Sequence, residues 1–208
     1  MARILHINAS PRADSYSLRL GVAFLDGYRQ SHPDAGIETL NLFDIKLPLF
    51  DAPAAAAKYA VLAGQEPQNP DQARWREVIE VIRQFASGDL YVFSVPMWNY
   101  SIPYRLKQYI DIIVQPGLTF KYTQEKGYEG LVTGRPAVLM LAKGGSYPAD
   151  TPMGAFDFQK PYMETILKFI GFADIRSLSV EQTLMAPKEA QQQLIDQSEE
   201  ARKLGRSM

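Results

Sequence analysis

The chain of 208 residues carries 22 Lys and Arg against 23 Asp and Glu, a formal net charge of −1, with no Cys and two His. That balance excludes a strongly basic nucleic-acid binder, and the missing Cys excludes disulfides, thiolate metal sites and cysteine nucleophiles. No apolar run reaches the roughly 18 residues of a membrane span and the chain opens on a strand-like run, so no signal peptide and a cytoplasmic location are expected, with no nucleic-acid or membrane partner.

Apolar runs then alternate with helical stripes, which reads as repeated βαβ units in one domain, residues 1–208. Arg3–Asn8 is the first strand, with His6 as a core histidine. A polar loop follows, and Leu18, Gly21, Val22, Leu25 and Tyr28 recur at helical spacing. Gly36–Leu42 is the second strand. The long connection Pro48–Pro70 holds an Ala-rich piece that reads as a short helix. Trp75, Val78, Ile79, Ile82 and Phe85 stripe the next helix. Leu90–Val95 is a near-continuous apolar run, as in a strand buried on both faces.

Leu106, Tyr109, Ile110 and Ile113 mark another helix. In the second long connection, 115–134, Leu118, Phe120 and Tyr122 alternate with Thr119, Lys121 and Thr123. That period predicts an edge hairpin turning at Lys126-Gly127. Ala137–Ala142 is a buried strand, Met163, Ile166, Leu167 and Ile170 stripe a helix, and Ile175–Val180 is the last strand. Pro187 opens a final helix with Ala190, Leu194, Ala201 and Leu204 inward, and Gly205 is expected just past its end.

Strands alternating with helices predict a three-layer, doubly wound α/β sandwich with a five-stranded parallel sheet of order 2-1-3-4-5. Such sheets bind ligands beyond the carboxyl ends of their strands, where the order reverses. The loops after strands one, three and four are therefore the candidate site.

After strand one, Ser10, Ser15, Tyr16 and Ser17 surround a helix start. Either Ser15 or Ser17 can cap it, and amides left free there, with the positive helix end, suit an anion such as a phosphate monoester. Arg12 would add a formal positive charge. The segment matches neither G-x-G-x-x-G nor a Walker loop, which disfavours a dinucleotide site and an NTPase. Serines also cap helices with no ligand at all. After strand three, Met97, Trp98, Asn99 and Tyr100 offer an apolar wall and a polar rim to a flat ring, or simply pack the turn. After strand four, Lys143, Gly144 and Gly145 allow close backbone approach to a ligand, though paired glycines mark any tight turn.

Taken together, these loops and the stretch from Pro96 to Gly145 resemble the FMN-dependent NADH:quinone oxidoreductase/azoreductase family of the flavodoxin-like fold. The resemblance rests on Pro96-Met97, an aromatic, Asn99 and an aromatic, then a helix, Gly117-Leu118-Thr119-Phe120, and later Gly144-Gly145. It covers nearly the whole chain. It implies bound FMN, with Ser10, Ser15, Tyr16 and Ser17 at its phosphate. Met97, Trp98, Asn99 and Tyr100 would line the isoalloxazine, and Lys143, Gly144 and Gly145 would meet its pyrimidine edge. NADH or NADPH would donate hydride through flavin N5 by a ping-pong route, with no catalytic side chain and no metal.

Quinones, azo compounds cleaved to amines and nitroaromatics are the implied acceptors, and a homodimer the implied assembly. Trp98 stands where the family more often has Tyr, and Tyr100 where Phe is common, so acceptor preference is open. Phe120 and Tyr122 are candidates for the substrate wall, or an edge hairpin packed on its own core. The alternative function is a flavodoxin-like electron carrier without its own NADH activity, against which the near-neutral charge argues.

Overall fold

The computed structural model describes residues 2–68 and 71–208. The predicted end of the first long connection, Pro70, lies outside the described residues. In chain order the elements are β1 (Arg3–Asn8), α1 (Tyr16–Ser31), β2 (Gly36–Asn41), α2 (Ala52–Leu62), α3 (Asp71–Ala86), β3 (Leu90–Pro96), α4 (Tyr104–Ile113), β4 (Phe120–Thr123), β5 (Gly127–Gly130), β6 (Ala137–Ala142), a 3-10 turn (Pro152–Phe156), α5 (Lys160–Ile170), β7 (Ile175–Val180) and α6 (Pro187–Ser207).

The main sheet is parallel with order β2-β1-β3-β6-β7. The predicted arrangement is the observed one. Its last two numbers rise because β4 and β5 pair as a separate antiparallel hairpin. The alternation of side chains across the sheet builds two cores. Ile4, Val92 and Met140 face α1 and α6, while Ile7, Phe93 and Leu139 face α3, α4 and α5. β1, β3 and β6 run through the middle, buried on both faces, which is why β3 and β6 read as apolar runs, while β1 also buries His6 and Asn8.

Two expectations need correction. Of the predicted α1 stripe, Gly21, Leu25 and Tyr28 are buried, joined by Leu20, Phe24 and Gly27, while Val22 is exposed. Glycines define that face because backbone, not side chain, meets it: a Cβ on Gly27 would lie 2.2 Å from the Arg202 carbonyl oxygen. Gly205 likewise lies inside α6, not beyond it, where a Cβ would stand 2.2 Å from the Phe24 carbonyl oxygen. Both glycines let α1 and α6 pack at backbone distance.

The hairpin is pinned rather than free. Thr119 is buried, and its hydroxyl donates to the Ile113 carbonyl (2.8 Å) and accepts from the Gln115 amide (3.0 Å), tying off the end of α4. Val132 donates to the Ile170 carbonyl at 2.8 Å, fastening the hairpin's exit to α5. Gly171, in the left-handed region at φ 119°, ends α5, and the amides of Gly171 and Phe172 return to Leu167.

Candidate functional site

The carboxyl ends of β1, β3 and β6 open on a cleft of about 260 Å³. Its polar side is Ser10, Arg12, Ser15 and Thr183, and its apolar side includes Met97, Trp98 and Leu184. No carboxylate is among its lining residues, so the cleft favours an anion over a cation.

Local chemistry shapes the polar side. The Asn8 side chain accepts from the Ser10 amide and donates to the Ser10 carbonyl, both at 3.1 Å, which folds the chain sharply off β1. The Asn8 amide also donates to Asn41 Oδ1 at 3.0 Å, holding that turn to the end of β2. Ser10 Oγ accepts from the Arg12 amide (3.2 Å), so its own O–H is left to donate.

Ser15 occupies the N-cap of α1, yet its hydroxyl makes no cap bond; it meets Ser17 Oγ at 3.0 Å instead. The expected serine cap is absent because each serine hydroxyl is engaged by the other. A helix of 16 residues thus begins with first-turn amides uncapped by any side chain, and Ser15 and Tyr16 line the cleft. The charge expected of Arg12 is offset: its guanidinium is exposed and pairs with Asp14 at 2.9 Å. That pairing holds the Asp14 carboxyl below its ordinary range.

The apolar side is a forced turn. Trp98 and Ser101 exchange backbone bonds of 2.9 and 3.0 Å, closing a four-residue loop. Its central residues, Asn99 (φ 48°) and Tyr100 (φ 69°), are both left-handed, the form in which Gly and Asn dominate. A bulky Tyr held there marks stored backbone strain, about 1–3 kcal/mol. The turn aims two aromatics to opposite sides. Trp98 packs on Phe43, with centroids 5.6 Å apart, and Tyr100 packs on Phe156 at 5.4 Å and Tyr147 at 6.1 Å. Across Trp98 lies a second groove of about 640 Å³, also lined by Phe50, Asn99 and Tyr104.

The third loop is zipped to the segment after β7. Lys143 and Gly144 carbonyls accept from Thr183 (3.1 Å) and Leu184 (3.2 Å), and Gly145 accepts from Gln182 (3.0 Å). Gly144 faces the cleft with Leu184 over it: a Cβ there would meet Leu184 Cδ1 at 2.9 Å. The Lys143 side chain points elsewhere. It is 4% exposed and bridges Asp157 (2.7 Å) and Glu181 (3.2 Å).

Of the residues singled out in the sequence, Ser10, Ser15, Tyr16, Met97, Trp98 and Gly144 line one cleft. Ser17 is buried beneath Ser15, while Asn99, Tyr100, Lys143 and Gly145 stand outside the lining. Phe120 and Tyr122 line a separate cavity of about 840 Å³ between the hairpin and α2, with Lys58, Tyr128 and Phe169. Sequence reasoning missed Thr183 and Leu184, which follow the last strand rather than the switch point. It also missed Phe43, whose signal was its place just past β2. Among the described residues there is no group of His, Cys, Asp or Glu that could hold a metal. Nor is any helix among them long and apolar enough to cross a membrane.

The chain matches the family described as flavodoxin-like fold over residues 2–204. It is 49% identical over 208 residues to an FMN-dependent NADH:quinone oxidoreductase of Nitratidesulfovibrio vulgaris, covering 98% of each chain. Among solved structures it resembles an azoreductase from Bacillus anthracis (strain Sterne), TM-score 0.91 and 27% identity, covering 100% of both chains. It also resembles an FMN-dependent NADH-azoreductase from Bacillus anthracis (strain Ames Ancestor) in complex with FMN, TM-score 0.85 and 30% identity, covering 99% of this chain and 100% of that one.

Proposed function

The chain belongs to the FMN-dependent NADH:quinone oxidoreductase family of flavodoxin-like fold, and on that premise we propose that it binds FMN in the cleft at the start of α1 and reduces flat acceptors with NADH. The observation that carries the site is the uncapped helix start facing a cleft with hydroxyl donors and no carboxylate. A phosphate monoester is a strong acceptor with no proton to give, so this donor set fits it.

In this reading Ser10, Ser15, Tyr16 and Ser17 hold the phosphate, Ser17 by orienting the Ser15 hydroxyl. Met97, Trp98, Asn99 and Tyr100 border the isoalloxazine, and the turn Lys143-Gly144-Gly145, its Lys143 amide tied to the Val180 carbonyl, brings the bare amides of Gly144 and Gly145 to its pyrimidine edge. FMN held there would supply a two-electron store, able to accept hydride at N5 from reduced nicotinamide and to give it up again. The chain's own work is to bind and orient. Met97 and Leu184 exclude water from the apolar side of the cleft. The cleft of about 260 Å³ is small beside the roughly 300–1,000 Å³ usual for ligand sites, and the groove across Trp98 adjoins it as room for the rest of a flat ligand.

Donor and acceptor use that same open side in turn, which gives ping-pong kinetics. A quinone takes one hydride equivalent and a proton from water. An azo bond takes two such rounds, its nitrogens leaving as two amines. The protein works as a homodimer, in which Phe120 and Tyr122 on the projecting hairpin wall the substrate site of the second copy.

Fluorescence titration of apo-protein with FMN tests the site. Tight binding is expected, weakened by about tenfold in Ser15→Ala with Ser17→Ala, from the loss of roughly 1.5 kcal/mol of charge-assisted hydrogen bonding. Unchanged affinity in the double variant would remove the phosphate assignment. Initial rates over NADH and quinone should give parallel reciprocal lines, and intersecting lines would rule out ping-pong exchange. A sedimenting monomer with full turnover would contradict the dimer.

A further inference from the structure

We propose that Lys143 is a positioning residue for the cleft, acting through Asp157 and Glu181 to lock the glycine turn and the 97–100 turn into one arrangement. The inference rests on the FMN reading above and departs from a direct contact between the Lys143 side chain and the flavin.

The Lys143 side chain is only 4% exposed and its Nζ lies between two carboxylates, the close pairing that a buried ion pair requires. Each carboxylate has a further task. Asp157 Oδ1 accepts the amides of Gln159 (3.0 Å) and Lys160 (3.2 Å), closing the start of α5. Glu181 Oε2 accepts the Ser146 hydroxyl at 2.7 Å, next to the glycine pair.

The residues after Asp157 carry the link across the site. Phe158 donates its amide to the Tyr100 carbonyl at 2.9 Å, and buried Gln159 donates its side-chain amide to the Val95 carbonyl at 2.9 Å. A tripeptide, Asp157–Gln159, therefore touches the end of β6 through Lys143, the strained turn through Tyr100, and the end of β3 through Gln159. Through Glu181 the same ammonium reaches the segment that carries Thr183 and Leu184 over Gly144.

Take the ammonium away and two carboxylates face each other with no cation between them. The segments carrying them move apart, and those segments carry the walls of the cleft. The exposed Arg12–Asp14 pair has no such reach, since both its members sit in one loop and in water.

The test titrates wild type, Lys143→Gln, Lys143→Arg and Glu181→Gln with FMN, follows the visible circular dichroism of the bound flavin, and measures acceptor KM and kcat. Lys143→Gln should raise the FMN Kd by about tenfold, a loss of about 1.4 kcal/mol of binding. It should also alter the visible dichroism and raise KM more than it lowers kcat. Lys143→Arg should recover most of both, and Glu181→Gln should fall between.

A Lys143→Gln protein with wild-type Kd and dichroism, even with a lowered Tm, would overturn the proposal, as would equal losses in Lys143→Gln and Lys143→Arg. If Lys143→Gln does not fold, Glu181→Gln decides: it retains the Asp157 pair, and wild-type values in it would overturn the role. Wild type that binds no FMN would instead strike the FMN reading first, and this inference with it.

Discussion

Two of the four residues in the turn after β3 are left-handed, and neither is glycine. Asn99 tolerates that conformation through its short polar side chain, but Tyr100 holds it only because Phe158, Phe156 and Tyr147 pin it from outside. The sequence shows both residues as candidates; the strain is invisible there because its supports lie some fifty residues on (about 47–58). His6 was readable as a core histidine. It is buried with Nε2 at 2.9 Å from Ser94 Oγ and Nδ1 at 3.3 Å from Thr39 Oγ1, and burial pulls its pKa down to about 4.

That depression sets a sign. In the unfolded chain the imidazole titrates near 6.5, so below that pH the unfolded state gains a proton the folded state refuses. This contribution is full above about pH 6.5 and is lost as pH falls toward 4. Between pH 7 and 5 it amounts to about 2 kcal/mol. Urea unfolding of wild type and His6→Gln at both pH values should show wild type losing about that much more. Equal losses in the two proteins would refute the buried neutral histidine.

At the level of elements, every strand of the main sheet was legible: the central β3 and β6 as apolar runs buried on both faces, and the edge strands β2 and β7 as short β-prone segments between helical stripes. Helix faces were less so. The stripe Leu18, Gly21, Val22, Leu25 and Tyr28 places Gly21, Leu25 and Tyr28 correctly inward but misjudges Val22, which is exposed, and it misses Gly27, a contact with no apolar signal to read. Gly205 misled for the same reason, reading as a stop when it is a contact. If α1 and α6 meet at backbone distance, Gly205→Ala must push them apart, because its Cβ would stand 2.2 Å from the Phe24 oxygen and 2.8 Å from the Tyr28 nitrogen. A loss of about 1–3 kcal/mol is expected in urea unfolding of the apo-protein, the usual cost of overpacking. A terminal glycine would give almost no change, and that result would contradict the packing.

Across the whole molecule, the place of the site followed from topology: β1 and β3 neighbour each other where the order reverses, and the cleft opens at their ends. What closes the cleft was not legible. Lys143 finds its partners 14 and 38 residues away, a pairing that no local pattern encodes. Phe120 and Tyr122 were readable as an alternating strand, but their cavity shares no lining residue with the cleft, so within one copy they are remote from it. That separation is why the proposed function sends them to a second copy.

The most direct measurement is anaerobic rapid mixing of the FMN-loaded protein with NADH, followed at the oxidised flavin band. The account predicts loss of that band in a single fast phase, near one equivalent of NADH per flavin, with full recovery when a quinone is added. A protein that takes up FMN but stays yellow in the presence of excess NADH would contradict it and leave a carrier in place of an enzyme.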